Sequence, residues 1–522
     1  MKTIQKEYSF ILPVFSFISL FLFLLWGSAC NKRAQKALVS TPPQLDSALL
    51  HTLPAALDRV FLEEMEDNHI PGMAVVLVKD GKTIYKKGYG LADVEHGREV
   101  DPDQTIFRIG SISKALTLLT LSRLVDDGRL QLDEEVSQYF PHIENPKGFE
   151  MPVSIRHLLT HTTGFDQIGI GRVRLASMEK VERQKQERPS LAEFLKKRNL
   201  RRINPPGQYY RYDTYAPTLA GLIIEKVTGL PYTEAMRKEL FEPLGMDRSH
   251  VEAAPEHHAA LSRGYGYLQG EYQAMDYELY RTLPASSIDA TVADMGRLLE
   301  ALTGEGANVQ GRLFSREMAE ALYRPQFRPH PEFLGMRYGL GEESMVGQAP
   351  DAYPVASIGH GGDMLGYTSL MTVIPSWNMG FFVVANRNRE AGGDRVRLWP
   401  LLMNAMMTHL GVEKKMPVDP VPSKKHDLDL EEYTGAYYYG SFCHTCTAAE
   451  HRAGAWRRPR PMQVRLEGKA LEVRGESYLP RGDDVFIRSD GYRKLFFGRD
   501  EKGNINFLVF SDDRTSFERL AD

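Results

Sequence analysis

Apolar residues recur at helical spacing from Leu49 to Asn68, and the stretch that follows, GMAVVLVKDGKTIYKKGYGLADV, changes to two β-rich runs joined at Asp80-Gly81. That dipeptide favours a two-residue hairpin because both positions tolerate positive φ. After Gly110 the pattern turns helical through Leu124 and Val125 and stops at DDGRL, where Gly128 fits a C-cap. Apolar residues occupy nearly every side of this segment, so it predicts a buried helix. From about Val153 to Thr303 the chain reads as helices and loops, among them IRHLLTHTTGF, SLAEFLKKRNL, APTLAGLIIEKVTG and VADMGRLLEALTG. Strands return in GYTSLMTVIPSWNMGFFVVANRN, two apolar runs around a turn at Pro375 to Asn378, followed by a helical RVRLWPLLMNAMMTHLG. Strands at both ends with helices between predict an α+β body: one antiparallel sheet flanked by helices, closed by sequence-distant strands, with an all-helical insertion.

Glu413 to Asp427, EKKMPVDPVPSKKHD, has no apolar period and marks a linker. Beyond it, from 428 to 522, short alternating strands separated by Gly and Asp turns predict a small antiparallel β-barrel. The N-terminus differs again. Lys2 and Lys6 precede FILPVFSFISLFLFLLWGSAC, an apolar run that ends in small residues before Cys30. It reads as an export signal over 1–30. Its end resembles a lipobox, with Cys30 as the lipidated residue, although Gly27 stands where such motifs usually carry leucine. An uncleaved membrane anchor is the competing reading, since the run approaches the roughly 20 residues that span a bilayer. Either reading places residues 48–412 outside the cytoplasm, on a polar tether over 31–47, in the periplasm or at the cell surface.

Composition narrows this little further. The formal net charge of −4 gives no reason to expect a nucleic-acid partner, and RRPRP at Arg457 to Pro461 is too short to change that. Three cysteines are present, so setting Cys30 aside leaves Cys443 and Cys446 in CHTC. A local disulfide is the plain reading in an exported chain; a metal or redox site is the sharper one, with His444 and His451 nearby but no second CxxC.

The candidate chemistry begins at FRIGSISKALTLL. Ser111 stands three residues ahead of Lys114 at the start of the buried helix, but Ser177 and Lys180 in SMEK have the same spacing. Arg172, Arg174, Glu179, Glu182 and Arg183 surround the second pair, so its lysine stays hydrated and protonated and cannot serve as a base. Ser111 enters a helix whose first amides favour an alkoxide, and Lys114 follows one turn later on the same face. A serine nucleophile needs a neutral base within hydrogen-bond reach. Lysine, ordinarily near 10.4, reaches neutrality near pH 7 only when burial lowers it by roughly three units. A helix cap is the alternative role for Ser111.

FRIGSISKALT, IRHLLTHTTGF, PPGQYYRYDTYAPTLAGLIIEKVTGLPYTEAMRKELFEPLGM, IDATVADMGRLLEAL and IGHGGDMLGYTS stand in the same order, at similar intervals, as in the serine β-lactamase-like hydrolases. That superfamily includes class C β-lactamases, DD-peptidases, family VIII esterases and D-aminopeptidases, and the resemblance runs from about Leu53 to Gly411. It implies that Ser111 is acylated with help from Lys114. The tyrosine of the family's Tyr-x-Asn motif falls on Tyr212. Its asparagine position is Thr214, a departure that bears on recognition of an acyl amide. The third motif falls on His360-Gly361-Gly362, with His409-Leu410-Gly411 as a decoy at a helix end. The oxyanion hole falls on the backbone amides of Ser111 and Asp363, with Gly361 and Gly362 permitting close substrate approach. Asp213 and Asp363 read either as solvent-facing carboxylates or, more sharply, as receivers of a substrate's cationic group. His157 and His161, four apart, find no further ligands for a metal and are implied to be structural neighbours of the site. The C-terminal region, from DLDLEEYTGAYY, resembles the lipocalin-like domain appended to some of these hydrolases.

The resemblance implies no metal or organic cofactor. The expected partner is a small-molecule or peptide substrate: an ester, peptide or D-aminoacyl compound, with a β-lactam as the alternative. A binding or sensor protein without turnover is the rival of another class, supported by Thr214.

Overall fold

The structure, a computed structural model, describes residues 47–143, 151–165, 171–198, 202–328, 356–388, 428–439 and most of 461–519, with short pieces at 330, 336–337, 341–345, 407–409 and 411. The signal and tether, the linker, the CHTC segment, the basic RRPR run and most of the helix expected after Asn388 lie outside the described residues.

Helix α1 (Ser47–Asp67) leads into strands β1 (Gly72–Lys79), β2 (Lys82–Asp93) and β3 (Arg98–Glu99). Asp80 and Gly81 take φ of 51° and 72°, the left-handed conformation the hairpin turn requires. Helix α2 (Ile112–Asp126) follows and ends in a turn where Gly128 has φ 72°. The middle of the chain holds strand β4 (Arg172–Leu175), helix α3 (Tyr215–Thr228), strand β5 (Tyr277–Tyr280) and helix α4 (Val292–Thr303). Strands β6 (Met336–Arg337), β7 (Gly341–Met345), β8 (Ala356–Met364), β9 (Tyr367–Ile374) and β10 (Met379–Ala385) complete the body.

One antiparallel sheet runs in the order β6-β7-β8-β9-β10-β1-β2-β3. Strand β1 pairs with its hairpin partner on one side and with β10 on the other, Val75 lying opposite Val383. Strand side chains alternate faces, and β1 feeds two cores as a result. Ala74, Val76 and Val78 pack with α2 and α4, while Met73, Val75 and Leu77 pack with Leu53, Leu57 and Phe61 of α1. A strand covered on both faces has no polar face to show, which is why AVVLV reads as a continuous apolar run.

The insertion departs from the expected all-helical form. It contains the two-stranded β4–β5 ribbon, a hairpin of Tyr265–Leu268 with Glu271–Ala274, and short strands at His250–Val251 and Ile288–Ala290. These elements are only two to four residues long, and β4 alternates exposed and half-buried positions without an apolar face of its own. Their pairing partners, not their local pattern, define them.

The C-terminal region closes into an eight-stranded barrel from Gly435–Tyr439 to Asp513–Arg519, whose first and last strands pair at Tyr437 and Arg519. Tyr433, Phe486 and Phe497 meet inside it, edge to face, with ring centroids 4.9–5.3 Å apart. The barrel is joined to the body beside residues 204–213. Glu518 accepts hydrogen bonds from Arg211 at 2.8 Å and Asn204 at 2.5 Å, all three buried, and Phe507 packs edge-on against Tyr209 at 5.5 Å.

Candidate active site

Gly110 takes φ 57° and turns the chain into α2, so Ser111 becomes the residue that precedes its first turn. Two neighbouring hydroxyls pin this turn. Ser113 Oγ donates to the Gly110 carbonyl at 2.7 Å and accepts from the Ile288 amide at 2.9 Å; Ser369 Oγ donates to the Ile109 carbonyl at 2.9 Å. Ser111 makes no side-chain cap bond, so the alternative of an ordinary cap does not hold for it. Its Oγ instead lies 3.0 Å from Lys114 Nζ. The second SxxK pair resolves the other way: Ser177 Oγ caps the helix Met178–Gln186 by accepting from the Lys180 amide, and Lys180 is exposed.

Lys114 is 2% exposed, and its Nζ donates to Ser111 Oγ and to the Ala285 carbonyl, each at 3.0 Å. Burial pushes its ammonium down to about 7, opposed by the nearby charge of Asp213. The lysine is therefore substantially neutral near pH 7, with a lone pair for the serine proton. Tyr212 shares a hydrogen bond with Ser111, and its ring lies 5.1 Å from Lys114 Nζ. Burial holds its phenol well above the ordinary value, with Asp213 and Asp363 adding to the effect, so it acts as a neutral donor and acceptor.

His360, on β8, lies behind the tyrosine with ring centroids 5.6 Å apart, and its Nδ1 bonds to the Gly361 carbonyl. Burial, and after it the charge of Lys114, push the imidazole down to about 3, which keeps it uncharged. The two glycines divide their roles. Gly361 is exposed, and a Cβ there would meet only the Ser369 carbonyl at 3.9 Å. Gly362 is buried, and a Cβ would fall 2.0 Å from the Ile109 carbonyl. Its bare backbone thus makes room for the serine turn rather than for substrate, as first expected. The same close approach sets the Asp363 amide 3.1 Å from the Cβ position of Gly110, next to Ser111. The backbone groups assigned to an oxyanion hole stand together at the front of α2.

The two aspartates also separate. Asp363 is exposed, lines the cleft and accepts from Thr368 Oγ1 at 2.9 Å. Asp213 is neither solvent-facing nor open to a substrate cation. It is 1% exposed, its Oδ1 accepts from the Ala216 amide at 2.6 Å at the start of α3, and His161 lies 3.6 Å from Oδ2. A short polar side chain at a helix start is drawn to the orphan amides, a role that YDT by itself assigns to none of its residues. Thr214 lines the cleft as the residue before α3. His161 has left the helix Ile155–Leu159, with φ 53°, and packs 5.5 Å from Tyr212; His157 turns back to cap that helix at Ser154. They do not share a helix face, and among the described residues no three ligands form a metal site.

A cleft of about 330 Å³ opens over Ser111, Lys114 and Tyr212. Its other walls include Arg172, Arg174, Glu278, Tyr280, Ser286 and Asn388, none of them singled out from sequence as site residues. Along the sequence Arg172 and Arg174 are distinguished only as part of a charged stretch. Nothing local tells which surface such a stretch will face.

Over 230 residues the chain is 34% identical to the esterase EstB of Burkholderia gladioli, a match covering 41% of this chain and 55% of that one. Over 353 residues it is 26% identical to the protein flp of Staphylococcus aureus (strain MW2), covering 64% and 63% respectively. The chain thus spans less than two thirds of the length of these curated relatives. A solved structure of SurE with D-Leu shares the fold with a TM-score of 0.57 at 21% identity, over 91% of this chain and all of that one. Residues 57–402 match the family described as Beta-lactamase, and with that match over most of its body the chain belongs to the beta-lactamase family.

Proposed function

We propose that this protein is a serine hydrolase that cleaves an ester or amide through an acyl-enzyme on Ser111, its substrate being a small ester, a peptide or a D-aminoacyl compound. The observation that carries the reading is a buried lysine, lowered to about 7, within 3.0 Å of a serine hydroxyl that caps nothing. Ser111 Oγ attacks the carbonyl carbon and passes its proton to Lys114. The oxyanion is held by the amides of Ser111 and Asp363. Tyr212, bonded to the same hydroxyl, gives its phenolic proton to the departing alcohol or amine as the C–O or C–N bond breaks, and the proton held by Lys114 replaces it. Water then attacks the acyl carbon and gives a proton to the same pair; the bond from the acyl carbon to Ser111 Oγ breaks, that proton returns to the serine oxygen, and the acid leaves. The similarity to EstB supports an ester substrate, and the D-Leu in the SurE structure supports a D-aminoacyl one. A β-lactam is the further alternative.

The binding-protein reading rests on Thr214. The Ala285 carbonyl holds Lys114 in place without an asparagine, which weighs towards turnover. A fluorophosphonate probe is expected to add to Ser111, read by mass spectrometry, and to leave Ser111→Ala unlabelled; an unlabelled wild type favours the binding protein. Nitrophenyl esters, nitrocefin and D-aminoacyl anilides then separate the substrate classes.

We also propose export and lipidation at Cys30. Labelled palmitate should enter the wild-type chain and be absent from Cys30→Ala; equal labelling of both refutes the anchor.

A further inference from the structure

The exposed mouth of the cleft carries charge that the acyl-enzyme chemistry does not use. In the β4–β5 ribbon Arg174 lies opposite Glu278 and Arg172 opposite Tyr280. Directly opposed residues share a face, so all four side chains point the same way, and all four line the cleft that contains Ser111. Glu278 forms the floor of this cluster, its side chain 1% exposed. Its Oε2 accepts from Tyr280 at 2.6 Å and from the Leu365 amide at 3.2 Å; its Oε1 faces Arg174 Nε at 3.2 Å and Arg172 Nη1 at 3.6 Å.

That arrangement is unbalanced. One carboxylate, already satisfied at Oε2 by two neutral donors, is shared by two guanidiniums. Among the described residues it is the ion-pair partner of both. The arginine side chains remain 54% and 55% exposed. Each guanidinium has five N–H donors, and contact with one shared oxygen leaves most of them directed elsewhere. A structural ion pair needs one arginine; the second adds a positive charge at the cleft mouth. Asp363, the exposed carboxylate of the cleft, stands beside the serine turn, so an anion would be repelled close to the reacting carbonyl and received farther out.

We propose that Arg172 and Arg174 form a subsite for a carboxylate or similar anionic group at the distal end of the substrate's acyl or leaving chain. This rests on the serine-hydrolase reading above and narrows it to acidic substrates. Planar guanidiniums suit this task because they meet an oxyanion with paired donors.

The test compares the mono-p-nitrophenyl ester of glutarate with p-nitrophenyl butyrate, which has a similar chain without the charge. Wild type is expected to favour the glutarate ester in kcat/KM. The preference should shrink between about 20 mM and about 500 mM salt, as the Debye length falls from ~20 Å to ~4 Å. Arg172→Gln/Arg174→Gln should lose at least tenfold more on the glutarate ester than on the butyrate. Arg172→Gln alone keeps Arg174 on Glu278, guards against misfolding and should show the same bias in smaller degree. Equal losses on both esters, or a wild-type preference for the neutral ester or for a cationic one, overturn the proposal. Failure of the hydrolase reading shows separately, as no turnover of either ester. The subsite is then judged by calorimetry of glutarate-ester binding to Ser111→Ala, where binding unaffected by the arginine substitutions overturns it.

Discussion

Lys114→Met is expected to lower kcat on a nitrophenyl ester by roughly 10³- to 10⁴-fold, the range for removing a positioned base from a unit that activates its nucleophile. Methionine keeps the length and apolar stem, so the loss reports the amine. With Lys114 lowered to about 7, wild-type acylation should rise with pH through about 7 as the amine loses its proton. It should then level off, because Tyr212 is held above its ordinary range. The same substitution should stabilise the fold. The unfolded chain binds the lysine proton up to about 10.4 and the folded chain only up to about 7. The folded state therefore bears the full cost of the buried charge below pH 7, and the cost fades as pH rises towards 10.4. The gain in Tm of Lys114→Met over wild type should accordingly be larger at pH 6 than at pH 9. An equal gain at both pH values, or a rate loss under tenfold, would contradict the assignment of Lys114 as the base.

Glu518→Ala is expected to destabilise the protein by about 3 kcal/mol or more, because it takes the carboxylate away from the buried guanidinium of Arg211. Glu518→Gln keeps an acceptor for Arg211 and Asn204 and should cost far less, the more so because burial already raises the carboxyl above its ordinary range. Arg211 is the residue before Tyr212. Displacing it should reduce kcat at least about tenfold at temperatures where the variant remains folded, since a catalytic group must be held within about 0.5 Å of its working position. Thermal melts and nitrophenyl-ester kinetics of the two variants give the comparison. Wild-type rates in folded Glu518→Ala would show that the barrel does not position the tyrosine.

Long apolar periods made the main elements legible: the β1–β2 hairpin, α2, α3, α4 and the pair β9–β10 stand where the pattern of the chain puts them. Ser111, Lys114, Tyr212 and the strand at His360 were legible because each sits in a short motif whose order along the chain is informative. Asp213 was misplaced because YDT does not reveal that the Ala216 amide will take its carboxylate. Gly362 was assigned to substrate because its need for space comes from Ile109, far away in sequence. The place of Arg172, Arg174 and Glu278 in the cleft is not legible because the β4–β5 pairing that sets them there joins segments about 100 residues apart, neither of which has a strand pattern by itself.

The pairing of β1 with β10 also bears on how the chain can fold. Val75 meets Val383 about 300 residues later. At a synthesis rate of about 5–20 residues per second, roughly 15–60 s pass before the partner strand exists. Throughout that interval β1, apolar on both faces, exposes one unpaired edge, the kind of surface that templates aggregation. The central sheet is thus a late product of folding, and early survival of the nascent chain depends on keeping the β1 edge occupied or diluted until β10 arrives.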